Sequence, residues 1–221
     1  MRKHRYLLSL GISFYPEKEV LRIEAMRRKG WRFVKMNQLG LMIFEPCQPA
    51  EKKYAIDFLA EDPQEAADFL ELYQAAGWQC VYVFGKHYYY FEADPETPAL
   101  FSDAATYQEK IKLQEHFAVR QVWYLIPLGF LLLFIAFTGA RVFPFLDEGV
   151  VAMLKLLGYL LVLWPFMMVA MQKIFALLYR RRKEHFRNPT TYAKGQQVWR
   201  DTLIFAVFGG IIGLAVAIFA R

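Results

Sequence analysis

Apolar and polar positions change period several times over the first hundred residues. Tyr6–Phe14 is mostly apolar and reads as a strand with a basic lead-in, Arg2-Lys3-His4-Arg5. From Pro16 the spacing becomes helical. Proline suits a first turn, where its missing N–H would have no partner anyway. Glu17 and Glu19 suit the positive end of a helix, and Arg27, Arg28 and Lys29 the negative end. Gly30 supplies the stop, because a helix exit favours a left-handed residue. Trp31–Met36 and Leu39–Glu45 then form a hairpin about Asn37-Gln38, with Gly40 as a bulge.

Shifted by 47 residues, the chain matches itself. Gly30-Trp31 falls on Gly77-Trp78, Phe44-Glu45 on Phe91-Glu92, and Leu41 and Ile43 on Tyr88 and Tyr90. The second copy runs through strand Lys53–Leu59, helix Pro63–Ala76 with Asp62 as N-cap, and Gly77 as stop. Strands Trp78–Phe84 and His87–Glu92 follow, turning at Gly85-Lys86. The predicted fold class is therefore an α+β domain, residues 1–102, made of two strand-helix-strand-strand repeats and followed by three transmembrane α-helices. Its strands form one sheet of up to eight, or two half-sheets packed with pseudo-twofold symmetry. Residues 103–121 read as an amphipathic stalk helix, with Tyr107 and Ile111 on one side, continuing straight into the membrane domain 122–221.

Three runs in that domain, 122–140, 150–171 and 203–220, are long enough to span a bilayer. Only Lys155 interrupts them, close enough to the end of its run to snorkel. Pro165 is expected to kink the second span. Gly209, Gly213 and Ala217 put small residues on one stripe of the third, suited to packing on the other spans or on a second copy. The 172–202 loop carries Lys173, Arg180, Arg181, Arg182, Lys183, Arg187, Lys194 and Arg200, whereas 141–149 carries only Arg141 as a base. Basic loops stay cytoplasmic, which puts the N-terminal domain inside and the C-terminus outside. Trp123, Tyr124, Tyr179 and Trp199 are expected at the inner boundary.

Charge follows the same division. Residues 1–120 hold 16 basic and 17 acidic side chains, and residues 121–221 hold 11 and 4. The excess positive charge lies with the apolar runs, which argues against nucleic-acid binding by the soluble part. With 38 aromatics in 221 residues and no low-complexity tract, the chain is not disordered. Cys47 and Cys80 make neither a disulfide framework nor a metal knuckle.

Catalytic patterns are not found. His4, His87, His116 and His185 show no ligand spacing, and there is no phosphate loop or nucleophile elbow, so neither metal nor cofactor is expected and the reading is non-enzymatic. Glu45 and Glu92 are repeat mates, read either as paired carboxylates or as charges closing edge strands. Asp57, between Ile56 and Phe58, is either a polar group in a cleft or the outward face of a strand. The aromatic load is the stronger signal. Alternation sends Tyr88 and Tyr90 to one face and Tyr89 and Phe91 to the other. Either other elements cover both faces, or part of this surface is a groove; Trp31, Phe44, Asp57, Trp78, Tyr88 and Tyr90 are the candidate binding residues.

The series Met26-Arg27-Arg28-Lys29-Gly30-Trp31, Ile43-Phe44-Glu45, Tyr54-Ala55-Ile56-Asp57-Phe58, Tyr73 to Gly77-Trp78, Phe84 to Phe91 and Leu100-Phe101-Ser102-Asp103 resembles the bacterial family called domain of unknown function 2812. The resemblance covers residues 14–110. It implies a membrane-attached protein of the bacterial plasma membrane, encoded near PadR-like transcription regulators, with no catalytic residues to carry over. The order of elements also resembles GyrI-like drug-binding domains, at the level of fold only. Two functions are expected from this. The first is a membrane-anchored cytoplasmic module that sequesters or signals to a protein such as a PadR-like regulator. The second is a membrane-tethered sensor of hydrophobic or aromatic small molecules. Homo-oligomers are compatible with both.

Overall fold

The computed structural model describes residues 4–59, 63–101, 103–142, 147–187 and 189–219; the expected cap Asp62 lies outside them. The chain divides into two compact units, Met1–Gln114 with Arg180–Gln196, and Glu115–Tyr179 with Gln197–Arg221. The segment Arg180–Gln196, expected within a membrane loop, thus belongs to the globular unit.

That unit contains β1 (Arg5–Leu8), α1 (Pro16–Arg28), β2 (Trp31–Met36), β3 (Leu41–Pro46), β4 (Lys53–Phe58), α2 (Pro63–Ala75), β5 (Gln79–Phe84) and β6 (Tyr88–Ala93). The six strands form two antiparallel three-stranded sheets, ordered β1-β3-β2 and β4-β6-β5, rather than one sheet of up to eight. Both helices stop as expected, Gly30 at φ +79° and Gly77 at φ +89°. Gly40, at φ +75°, closes the β2–β3 turn instead of forming a bulge. The bulges lie between Phe33 and Lys35 and between Cys80 and Tyr82, 47 residues apart. Four of the five β2–β3 pairs have a β5–β6 counterpart at the same offset, Phe33↔Phe44 becoming Cys80↔Phe91. The first strands break the symmetry, since seven residues separate β1 from α1 and four separate β4 from α2. Glu45 and Glu92 sit on the central strands β3 and β6, so they do not close edges.

Two cores cover the two faces of the second sheet. On one, Tyr54, Ile56 and Tyr90 pack with Ile23 and Met26 of α1 and with Phe33, Met42 and Phe44 of the first sheet. Tyr90 stacks on Phe33 with ring centres 4.9 Å apart. On the other, Tyr89, Phe91 and Trp78 pack with Ala66, Leu70 and Tyr73 of α2. The alternation of Tyr88–Phe91 thus feeds two cores. Burying one such ring contributes roughly 1.5–3 kcal/mol.

α3 spans Ala104–Val122 and, after a two-residue turn at Trp123–Tyr124, α4 (Leu125–Val142) follows it, the two counting as one helical run over Ala104–Thr138. Pro127 has no N–H to offer the Trp123 carbonyl, which accepts from Ile126 at 3.2 Å instead. α5 (Glu148–Leu178) begins at Asp147, whose side chain accepts from the Gly149 N–H, and passes unbroken through Pro165. At about 1.5 Å per residue its 31 residues reach about 46 Å, more than the ~30 Å hydrocarbon core. A short 3-10 turn (Arg182–His185), α6 (Pro189–Gly195) and α7 (Val198–Phe219) complete the chain. Among the described residues, the helical run ending in α4 and the helix α5 are each long and apolar enough to cross a membrane, and α7 counts as a third if α6 is taken with it.

In this second unit the close helix approach is between Gly129 and Gly158. A Cβ on Gly129 would lie 2.8 Å from the Gly158 carbonyl, and one on Gly158 only 2.7 Å from Leu133. The Gly209–Gly213–Ala217 stripe is looser: a Cβ on Gly209 would reach Met167 at 4.0 Å, one on Gly213 would meet nothing within 4 Å, and Ala217 is exposed. Lys155 places its ammonium 4.9 Å over the Phe137 ring. Trp123, Tyr124 and Trp199 are exposed, whereas Tyr179 is buried and donates to Asp201.

Candidate functional site

The globular unit holds a pocket of about 850 Å³, including the space at its mouth. Several separate pieces of chain build it. The first turns of α1 contribute Pro16, Glu17, Val20 and Glu24; β4 contributes Lys53 to Ile56; α3 contributes Tyr107, Lys110 and Ile111; and Ala99–Phe101 with Trp78 line another side. Arg182, Phe186, Arg187, Pro189 and Thr190 complete it. α1 positions its carboxylates because Pro16 starts the helix and aims Glu17 and Glu19 from the first turn.

Glu17 is the hub. It is 3% exposed and accepts three donors, the Tyr107 hydroxyl at 2.5 Å, the Arg182 Nε, and the Gln196 Nε2 at 3.3 Å. Burial opposes its ionisation, but Arg182 and the Tyr107 bond outweigh that and hold its pKa below the usual carboxylate value. Burial and the Glu17 charge raise the Tyr107 pKa, so this phenol stays a donor. Lys18, next on α1, donates to the carbonyls of Ala193, at 3.4 Å, and Gln196. These bonds fasten residues 182–196 to α1.

A second buried pair lies behind the pocket. The Lys110 Nζ is 3.0 Å from Asp57 Oδ1, donates to the Ile56 carbonyl at 2.5 Å, and sits 4.4 Å over the Phe101 ring. Burial lowers the Lys110 pKa, partly offset by Asp57. The other oxygen of Asp57 accepts from the Tyr73 hydroxyl at 2.5 Å. Asp57 is therefore buried, and the outward-facing reading is wrong: α2 and α3 cover that strand face and supply its donors. Burial also raises the pKa of Glu24, whose Oε1 accepts from the Tyr54 N–H at 3.2 Å.

Of the six candidate binding residues, Trp78 alone lines the pocket, with its indole N–H donating to the Pro98 carbonyl at 3.1 Å. Asp57 reaches it through Lys110. Phe44 and Tyr90 are core residues, 0% and 1% exposed. Trp31 lies 4.5 Å under the Arg5 guanidinium, and the Tyr88 hydroxyl bonds Ser13 at 2.8 Å. Glu92 accepts from the Tyr54 hydroxyl and Glu45 lies near His4, in different sheets, so the repeat mates do not form a catalytic pair. Among the described residues no group of three or more His, Cys, Asp or Glu is arranged to hold a metal ion. Sequence reasoning missed Glu17, Lys110 and Arg182 as partners. An i,i+3 pair joining Tyr107 to Lys110 on the Ile111 side of α3 was the available signal.

The family described as "Protein of unknown function (DUF2812)" matches residues 15–125, half of the chain. The chain belongs to the DUF2812 family. The DUF2812 match takes in α1, both β-hairpins, β4, α2 and all of α3, hence most of the pocket wall, but not the Arg182–Thr190 side. No curated protein and no solved structure matches.

Proposed function

We propose that this DUF2812 protein is a regulatory binding module of the bacterial plasma membrane, non-enzymatic, whose globular unit faces the cytoplasm and takes a flat aromatic small molecule into its pocket. The observation that carries the reading is the pocket itself, a cavity with Tyr54, Trp78, Phe101 and Tyr107 in its walls, of the mixed apolar-polar character of small-ligand sites. One wall, Arg182–Thr190, belongs to the segment that joins α5 to α7 in the chain. A ligand that binds one arrangement of that wall better than another shifts its population, which is the elementary act of a sensor.

Cytoplasmic placement is supported by the basic residues of 172–202 and by connectivity: the chain leaves the globular unit after Gln114 and rejoins it at Arg180, with α4 and α5 in between. The C-terminus is then outside. An impermeant thiol reagent applied to whole cells should leave a cysteine introduced at exposed Leu39 unmodified; labelling there refutes the orientation.

For the ligand, the test is fluorescence of the full chain in detergent with Trp78 as sole tryptophan, Trp31, Trp123, Trp164 and Trp199 being replaced by Phe. A panel of aromatic compounds should give saturable quenching, lost when Ala99→Phe fills the exposed rim. No saturable change across the panel refutes the reading. A second reading, docking of a protein such as a PadR-like regulator, is favoured by exposed Phe69 and Leu72, three residues apart on α2. Under it, Phe69→Lys with Leu72→Lys abolishes capture of that regulator, whereas unchanged capture eliminates this face.

A further inference from the structure

Resting on the pocket reading above, we infer that the ligand is an aromatic carboxylate, its anionic group taken by Lys110 and Arg187. The charges around the cavity are not balanced. Lys53, Lys110, Arg182 and Arg187 line it, against Glu17 and Glu24 and, behind Lys110, Asp57. With every group ionised, the site carries one surplus positive charge. A bound anion cancels that surplus, whereas a bound cation doubles it in a partly desolvated space.

The carboxylates are also committed already. Glu17 accepts three donors within the protein. Glu24 accepts the Tyr54 N–H and faces Arg28 and Lys53. The cations keep more capacity. An ammonium has three hydrogens to give, and those of Lys110 meet the Ile56 carbonyl and Asp57, leaving one without an acceptor among the described residues. Arg187 is exposed, and its guanidinium lies 5.4 Å from the Phe186 ring centre. The site therefore offers a buried donor, an outer guanidinium, and aromatic walls suited to a planar ring.

Isothermal titration calorimetry on the full chain in detergent, with micelle-only heats subtracted, tests this with near-isosteric probes: 2-naphthoate, 2-naphthamide, 2-naphthylmethylammonium and the aliphatic decanoate. 2-Naphthoate is expected to bind at least roughly tenfold tighter than the amide or the ammonium, the scale of a charge-assisted hydrogen bond, and tighter than decanoate. Lys110→Met with Asp57→Asn, which leaves no buried charge unpaired, should remove most of 2-naphthoate's advantage over the amide, the remainder being held by Arg187. Arg187→Ala, at an exposed position where folding is not at issue, should weaken 2-naphthoate alone by a few fold. Equal affinities for the three naphthyl probes, or a preference for the ammonium, overturn the carboxylate assignment while leaving aromatic binding in place. Decanoate binding as tightly as 2-naphthoate overturns the aromatic part. Absence of binding by all four overturns the pocket reading itself.

Discussion

Replacing Arg182 by Met isolates the bond on which the pocket's outer wall depends. It removes the guanidinium from a carboxylate that is 3% exposed. Deleting one partner of a buried ion pair costs about 3–5 kcal/mol, because the other charge stays behind without compensation. Glu17 retains the Tyr107 hydroxyl at 2.5 Å and the Gln196 amide at 3.3 Å, so the cost should fall at the low end. About 3 kcal/mol corresponds to a roughly 150-fold rise in opening of the 182–196 segment. Hydrogen exchange of peptides covering 182–196 and α1 in the full chain reads it directly. Adding Glu17→Gln should recover most of the loss, since a neutral pair no longer strands a charge. The pH dependence has a definite sign. In the parent, the Glu17 pKa lies below its unfolded value of about 4.3, so its contribution is complete above that pH and lost as pH falls through the folded pKa. In Arg182→Met, burial outweighs the remaining Tyr107 and Gln196 bonds and raises the pKa, so the penalty is largest at neutral pH and is relieved on acidification. The gap between the two proteins must narrow from pH 7 to pH 4. A gap that is constant or widens, or a double variant no better than the single, refutes the reasoning.

Gly77→Val should lower stability by roughly 1–2 kcal/mol or more, because φ is +89° and the new Cβ would lie 3.3 Å from Thr97; an unchanged melting temperature contradicts the assigned helix exit. Asp57→Ala leaves the Lys110 ammonium without its carboxylate and Tyr73 without its acceptor. It should cost about 3 kcal/mol in thermal unfolding, substantially more than Asp57→Asn. Gly158→Val drives a methyl into Leu133 and should destabilise the α4–α5 pair by about 1–3 kcal/mol, while Gly213→Val, which meets nothing, should be neutral. Equal effects in detergent melts would place the close helix approach elsewhere.

How far the sequence carried the fold is clearest in the repeat. Gly30 and Gly77 marked both helix exits because a left-handed backbone leaves few residue choices, and the 47-residue offset extends to bulges that no propensity could locate. Sheet membership was not legible. Alternation says which side chains share a face, but whether Tyr88–Phe91 borders one core or two depends on what packs above it. Asp57 shows the same limit: a carboxylate between two apolar residues reads as solvated unless its donors are known, and Lys110 and Tyr73 come from helices 53 and 16 residues away. The aromatic count pointed to a cavity but named core rings, because a ring that fills space and a ring that bounds it have the same composition.

The run Arg180-Arg181-Arg182-Lys183 shows why the pocket's outer wall was the least legible part. As a charge cluster following an apolar span, it is fully explained by the rule that basic loops stay on the cytoplasmic side. That rule counts charges without distinguishing them. The structure does distinguish them: Arg180, Arg181 and Lys183 are exposed, and Arg182 is buried against Glu17. A 3-10 turn starting at Arg182 sends neighbouring side chains in different directions. Three bases thus stay exposed while one joins the globular unit, so the proposed orientation and the docking of the wall rest on different residues. Topology and docking therefore separate under mutation. Neutralising Arg180, Arg181 and Lys183 together should weaken orientation and leave hydrogen exchange at 182–196 unchanged, whereas Arg182→Met alone should do the reverse. If both sets disturb exchange alike, the ion pair with Glu17 is not what anchors the wall.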